Sequence, residues 1–237
     1  MKKVFCLTNV FILLVLLVAC DSVVVGSKKY ETRMVELPQD VQYDAIKVYD
    51  DIDVKVVNGN HAISIYAPHN VQKHISTVIV DDVLVVKYAD GAKVLVDEEP
   101  VVFVSYPYLV ATHSVDTATG QPAHGATLNT LRVEGDGDIE VQALDVPFLT
   151  AEVIGGGTIS LQGAVQEAVL RVDGSGEIDA DRMKATKMTA SVDGNGDIEC
   201  YVLEYLEAHT TALGEIKYQG PAMLQVTTTG RVVRDID

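Results

Sequence analysis

The chain of 237 residues has no tryptophan, only three cysteines and only 18 lysines and arginines against 34 aspartates and glutamates. Sparse, scattered basic residues on a formal net charge of −16 exclude the electropositive stripe that phosphate backbones demand, so nucleic acid is not an expected partner. The lack of tryptophan removes the broad aromatic platforms of polysaccharide-processing grooves. Apart from one turn at His69 to His74, no apolar stretch repeats with helical period, which excludes a helical domain. Disorder is excluded from the other side. At 48% hydrophobic content the chain can offset its ordering entropy, and a domain of this size buries roughly 70% of its unfolded surface.

Residues 1–19 read as an export signal. Lys2 and Lys3 precede an apolar run from Phe11 to Val18, and Leu17-Val18-Ala19-Cys20 places a small residue before a cysteine. This is the lipobox pattern of a bacterial lipoprotein, in which the Cys20 thiol and its freed amine carry acyl chains. Each buried methylene adds about 0.8 kcal/mol, so several chains anchor firmly. The apolar stretch from Val4 to Ala19 falls short of the roughly 20 residues that span a bilayer. Loss of Lys2 and Lys3 with the signal leaves an exported chain that is more acidic still. With Cys6 removed and Cys20 acylated, Cys200 stands alone and no intramolecular disulfide is possible. The expected location is the cell envelope, lipid-anchored, in the outer membrane on its periplasmic or surface face. Residues 20–40, with Gly26, Ser27, Lys28 and Lys29, read as the tether and Pro38 closes it.

From residue 41 onward the chain reads as one all-β domain. Period-2 alternation marks strands at Ala45–Tyr49, Ile52–Val57, Ala62–Ala67, Thr77–Val80, Val83–Tyr88 and Val101–Tyr106, punctuated by Asp50-Asp51, Asn58-Gly59-Asn60, Asp81-Asp82 and Asp90-Gly91. An internal repeat follows. Gly135-Asp136-Gly137-Asp138-Ile139 recurs as Gly155-Gly156-Gly157-Thr158-Ile159, Gly174-Ser175-Gly176-Glu177-Ile178, Gly194-Asn195-Gly196-Asp197-Ile198 and, weakened, Gly214-Glu215-Ile216. The isoleucines lie 20, 19, 20 and 18 residues apart, the signature of a solenoid with one circuit per period. Val133, Gly135, Gly137, Ile139 and Val141 share one parity, as do their counterparts, so these are the inward positions. Paired inward glycines mark a sharp bend or an approach too close for a Cβ. The implied fold is a single-stranded right-handed parallel β-helix with coils of about 20 residues, clearest over residues 130–218.

These coils, with Ala45-Ile46-Lys47-Val48, Ile52-Asp53-Val54-Lys55-Val56 and Val83-Leu84-Val85-Val86-Lys87 as an opening block, resemble the head GIN domain family of auto-transporter adhesins. The resemblance covers most of the exported chain and implies a β-helix and an adhesive role, without catalytic residues to carry over. Residues 111–127 depart from the pattern as a longer Gly-, His- and Thr-rich insertion.

The outward positions beside the glycines are acidic. Coils in register would set Asp173 beside Asp193 and Glu177 beside Asp197, with Glu199 close by, and stacked like charges destabilise a sheet. Weakly bound calcium, a hard cation taking oxygen ligands, would relieve this, and a solvated acidic face is the competing reading. Asp193-Gly194-Asn195-Gly196-Asp197 imitates an EF-hand loop but places Ile198 where the sixth-position glycine belongs. A period near 20 also excludes calcium-binding nonapeptide rolls. His61, His69, His74, His113, His124 and His209 lack cysteine or acid partners at zinc spacing. A catalytic set drawn from Ser105 or Ser114 with His113 and Asp116 rests on adjacency alone, which is not triad geometry. Without a following helix, the Gly-x-Gly repeats cannot cradle phosphate. The expectation is a non-catalytic, adhesin-like module with no required cofactor, binding a glycan or an envelope protein. The alternatives are a β-helix enzyme acting on polysaccharide and a spacer without a ligand.

Overall fold

The computed structural model describes residues 23–37, 41–89, 92–107, 109 and 127–235. Cys20, His113, His124, Ser114 and Asp116 lie outside the described residues, as does most of the insertion. The described residues form strands, with a 3-10 turn at Gln72–His74. The first part folds as β1 (Val23–Val25), β2 (Tyr30–Val35), β3 (Ala45–Tyr49), β4 (Asp53–Asn58), β5 (Ala62–Pro68), β6 (Ile75–Val80), β7 (Val83–Tyr88), β8 (Lys93–Leu95) and β9 (Val101–Tyr106). The repeats fold as β10 (Thr130–Gly135), β11 (Ile139–Gly155), β12 (Thr158–Gly174), β13 (Glu177–Gly194), β14 (Asp197–Thr210), β15 (Glu215–Gln219), β16 (Met223–Thr228) and β17 (Arg231–Arg234).

From β10 to β15 every strand pairs in parallel with the one a coil later. The repeat isoleucines form one interior column, Ile139 against Ile159, Ile178, Ile198 and Ile216 in turn. All are buried, and each full burial contributes roughly 1.5–3 kcal/mol. Two successive exposed residues break the alternation at Gln142-Ala143 and again at Pro147-Phe148, so the coil turns there. Ala143, at φ +60°, takes the first of these corners.

The glycine pairs do two different jobs. The first of each pair, Gly135, Gly155, Gly174 or Gly194, is half-buried at φ between +120° and +135°, where an L side chain is strained. The second is buried and faces the preceding coil. A Cβ on Gly176 would stand 2.5 Å from both the Gly157 carbonyl oxygen and Val153 Cγ1. That carbonyl accepts a hydrogen bond from the Glu177 amide at 3.0 Å, so the corner is closed by backbone from coil to coil.

Coils do not stack in chain order. β3 and β4 lie beside β10 and β11, while β7 and β9 lie on the far side of β3 and β4. The second coil thus lies outside the first, and the third, beginning with β10, lies on the other side. Leu109 and Leu128 are buried, and the Leu109 carbonyl accepts from the Asp145 amide at 2.8 Å. Asp50-Asp51-Ile52-Asp53-Val54 runs alongside Gly135-Asp136-Gly137-Asp138-Ile139 as a glycine-free copy of the repeat, with Asp50 at φ +66°.

Residues 23–37 correct one expectation. Instead of a free tether, β1 pairs with β8 and β2 adds antiparallel to β5. Tyr30-Glu31-Thr32-Arg33-Met34-Val35 has strand alternation, which the loop-like Gly26-Ser27-Lys28-Lys29 before it obscured. Val24, Val35, Leu37, Val94 and Val96 pack against the core. Together with β6, antiparallel to β7, they close this end of the solenoid.

Candidate functional surface

The outward faces carry the polar chemistry. Lys47, Arg132, Glu152 and Arg171 stand in one register column across four coils. Lys47 Nζ lies 2.9 Å and Arg132 Nη2 2.7 Å from Glu134 Oε1, while Arg132 also pairs with Glu152. The Lys47 hydrogen bond, then that of Arg132, holds the Glu134 carboxyl below its ordinary pKa. Lys47 Nζ also lies 4.5 Å from the centre of the Tyr49 ring.

Beside this network an open hollow of about 400 Å³ is lined by Tyr49, Asp50, Val85, Lys87 and Tyr88. The Tyr88 amide donates to Asp50 Oδ2 at 2.9 Å, which fixes the acid at the rim. Burial, followed by Asp51 and other nearby carboxylates, raises the Tyr88 pKa, so its phenol stays protonated. The hollow therefore offers the half-buried ring of Tyr49, an oriented carboxylate and an ammonium group, while Tyr88 is buried in the core beneath it.

At the adjoining corner, Asp51, Asp53 and Glu99 meet Asp136 and Asp138. Burial first, then Asp136 and Asp50, raises the Asp51 pKa; burial and Asp138 raise that of Asp53; burial and Asp53 raise that of Glu99. Glu99 and Asp53 share a hydrogen bond. Asp136 and Asp138 stand out in the repeat, but the swapped coil order is what brings Asp51 and Asp53 alongside them, and Glu99 joins through the pairing of β4 with β9. The signal was the likeness of residues 50–54 to the repeat.

The register places the expected acidic ladder as pairs, Asp173 with Asp193, Glu177 with Asp197 and Asp179 with Glu199. Counter-groups are interleaved. Thr211 Oγ1 donates to Asp193 Oδ1 at 2.7 Å, Lys217 Nζ lies 2.7 Å from Glu199 Oε1, and Arg182 Nη2 lies 3.5 Å from Asp179 Oδ2. Glu177 has its pKa raised by burial, then by Glu199, Asp179 and Asp197. Among the described residues, no three His, Cys, Asp or Glu side chains are grouped so as to hold a metal ion.

The described histidines do not converge either. His61 closes a triangle of rings with Tyr43 and Tyr106, stacked on Tyr43 with centres 5.3 Å apart and tilted against Tyr106 at 5.0 Å, and burial lowers its pKa. His69 Nδ1 lies 2.8 Å from Glu31 Oε2, and His209 is exposed on an outward face. Cys200 is buried in the core, and desolvation pushes its thiol up to about 12, which makes it inert as a nucleophile.

These features define a parallel β-solenoid whose corners and walls, rather than an enclosed cleft, carry its ionisable groups. The chain belongs to the family described as putative auto-transporter adhesin, head GIN domain, whose family model matches residues 42–222. Among solved structures it is similar to a putative adhesin from Bacteroides fragilis, at 22% identity and a TM-score of 0.67, covering 90% of this chain and 100% of that one. It is also similar to a putative lipid binding protein from Parabacteroides distasonis, at 14% identity and a TM-score of 0.55, covering 91% and 100%. Both likenesses concern the fold. No curated protein matches the chain.

Proposed function

We propose that this protein is a non-catalytic, adhesin-like module of the bacterial cell envelope, held to the outer membrane through acylated Cys20, and that it binds glycan on its outward surface. The hollow at Tyr49, Asp50, Lys87 and Tyr88 carries the reading. Aromatic rings stack on the apolar faces of sugars, while a fixed carboxylate and an ammonium group satisfy their hydroxyls, and an open site admits an internal segment of a chain. A glycan array with the wild type and the Tyr49→Ala variant tests it. Signals lost in the variant are expected. Wild-type binding that Tyr49→Ala leaves intact, or no binding by either chain, would sink the assignment.

A second reading, an enzyme acting on polysaccharide, draws on the Asp53 and Glu99 pair. Burial and the Asp53 charge raise the Glu99 pKa, and a carboxyl raised in this way beside a second one is the kind of pair that general-acid cleavage draws on. Release of reducing ends from envelope polysaccharide, lost in Glu99→Gln, would favour it over binding alone.

A further inference from the structure

The solenoid is closed at one end and open at the other. β16 continues the interior columns of β14, with Leu224 over Leu206 and Val226 over Ala208. Leu206 and Ala208 are fully buried, whereas Leu224 and Val226 are 39% and 42% exposed, with Met223 beside them at 73%. Inward positions are exposed here because, among the described residues, no further coil lies on them. Among the described residues β16 pairs only with β14, and β17 only with β15, so both present a free row of backbone donors and acceptors. Solenoids ordinarily cover such an end with a polar cap, and edge strands ordinarily carry lysine, proline or a bulge. β16, Met-Leu-Gln-Val-Thr-Thr, has no charge and no proline.

We infer that the coil of β16 and β17 is a self-association face that joins two copies of this chain end to end, open coil against open coil. Three observations select this occupant. Each coil already binds the next through a backbone ladder over apolar columns, and a second copy met about a twofold axis would add to the edge antiparallel, as β2 adds to β5 and β6 to β7. The opposite end is covered by Val24, Val94 and Val96, which leaves the open end of another copy as the matching apolar surface. The charge also permits it. From Glu215 to Asp235 three basic residues, Lys217, Arg231 and Arg234, face two acidic ones, on a chain whose net charge of −16 opposes contact elsewhere. Two identical ends meet about a twofold axis, so the assembly closes at a dimer and does not grow into a fibre.

Site-specific crosslinking of the full chain in its envelope tests this independently of glycan binding. Thr227→Cys places a thiol on the outward face of β16, and Val78→Cys places one on β6 at the closed end. With a short bifunctional maleimide, Thr227→Cys should give a dimer band and nothing larger, and Val78→Cys should give neither. Adding Val226→Lys to Thr227→Cys should abolish the band. Leu224→Gln repeats that disruption without a charge, and an unchanged thermal transition shows that the fold is kept. No dimer with Thr227→Cys, or crosslinks between Val78→Cys and Thr227→Cys copies, would overturn the inference, the latter in favour of head-to-tail stacking.

Discussion

Arg132 and Glu152, 20 residues apart in sequence, stand directly opposite in the β10 and β11 register and form an ion pair. Glu134 and Lys47 extend it over three coils, and the side chains are half-buried, so the network resists screening better than isolated surface pairs.

Arg132→Ala should therefore destabilise the solenoid by about 1 kcal/mol at neutral pH. Glu134 has a folded-state pKa below its unfolded one, so its contribution is present above the unfolded value and is lost as pH falls through the folded value. Melting temperatures of wild type and variant should differ at pH 7 and converge below about pH 4. A gap that stays constant with pH would show that Arg132 acts by packing alone.

The second glycine of each corner gives a sharper test. Gly176→Val or Gly196→Val must displace backbone of the preceding coil, and Val153 or Val172 beside it, and should cost more than the ~1 kcal/mol of an average substitution. Gly156 is exposed, and a Cβ there would meet only the movable Asp136 carboxylate, so Gly156→Ala should be far milder. Equal melting temperatures for all three variants would contradict the inward placement of Gly176 and Gly196.

The repeat exposed most of the fold because it is local: Ile139, Ile159, Ile178, Ile198 and Ile216 announce both the period and the column they share. Strands β3, β7 and β9 likewise match their alternation end for end. The swap of the first two coils was hidden, since parallel pairing of β3 with β7 and β10 depends on contacts between distant segments that leave no periodic trace. The hollow at Tyr49 and Tyr88 and the pair Asp53 and Glu99 were hidden because the first two coils, joined by the parallel pairing of β3 with β7 and β4 with β9, lack the glycine repeat that gives the later coils their register.

The proposed anchoring rests on the thiol of Cys20. Cys20→Ser should leave the precursor unprocessed by the lipoprotein pathway and unlabelled by a radioactive fatty acid. Label persisting in the variant would place the acyl group elsewhere. Since β1 begins at Val23 and is paired to the body, an anchored chain would hold its closed end close to the membrane and its open end away from it.

The carboxylates at the corners set the last expectation. Asp51 and Glu177 have folded-state pKa values raised by burial and by neighbouring acids. For such groups the folded state is favoured below the unfolded pKa, and that advantage is lost as pH rises through the folded pKa. Asp51→Asn and Glu177→Gln should therefore raise the melting temperature at pH 7 and leave it unchanged near pH 4, the reverse of Arg132→Ala. The same repulsion motivated calcium at Asp173, Glu177, Asp193, Asp197 and Glu199. A specific ion would stabilise by RT ln(1 + [L]/Kd), about 2.7 kcal/mol at a hundredfold excess over Kd. Lys217 at Glu199, Arg182 at Asp179 and Thr211 at Asp193 already occupy carboxylate oxygens that calcium would need. Screening is then the larger effect, and melts in CaCl2 and in NaCl of equal ionic strength should shift alike. A greater shift with calcium, abolished by Glu177→Gln, would establish coordination at this ladder.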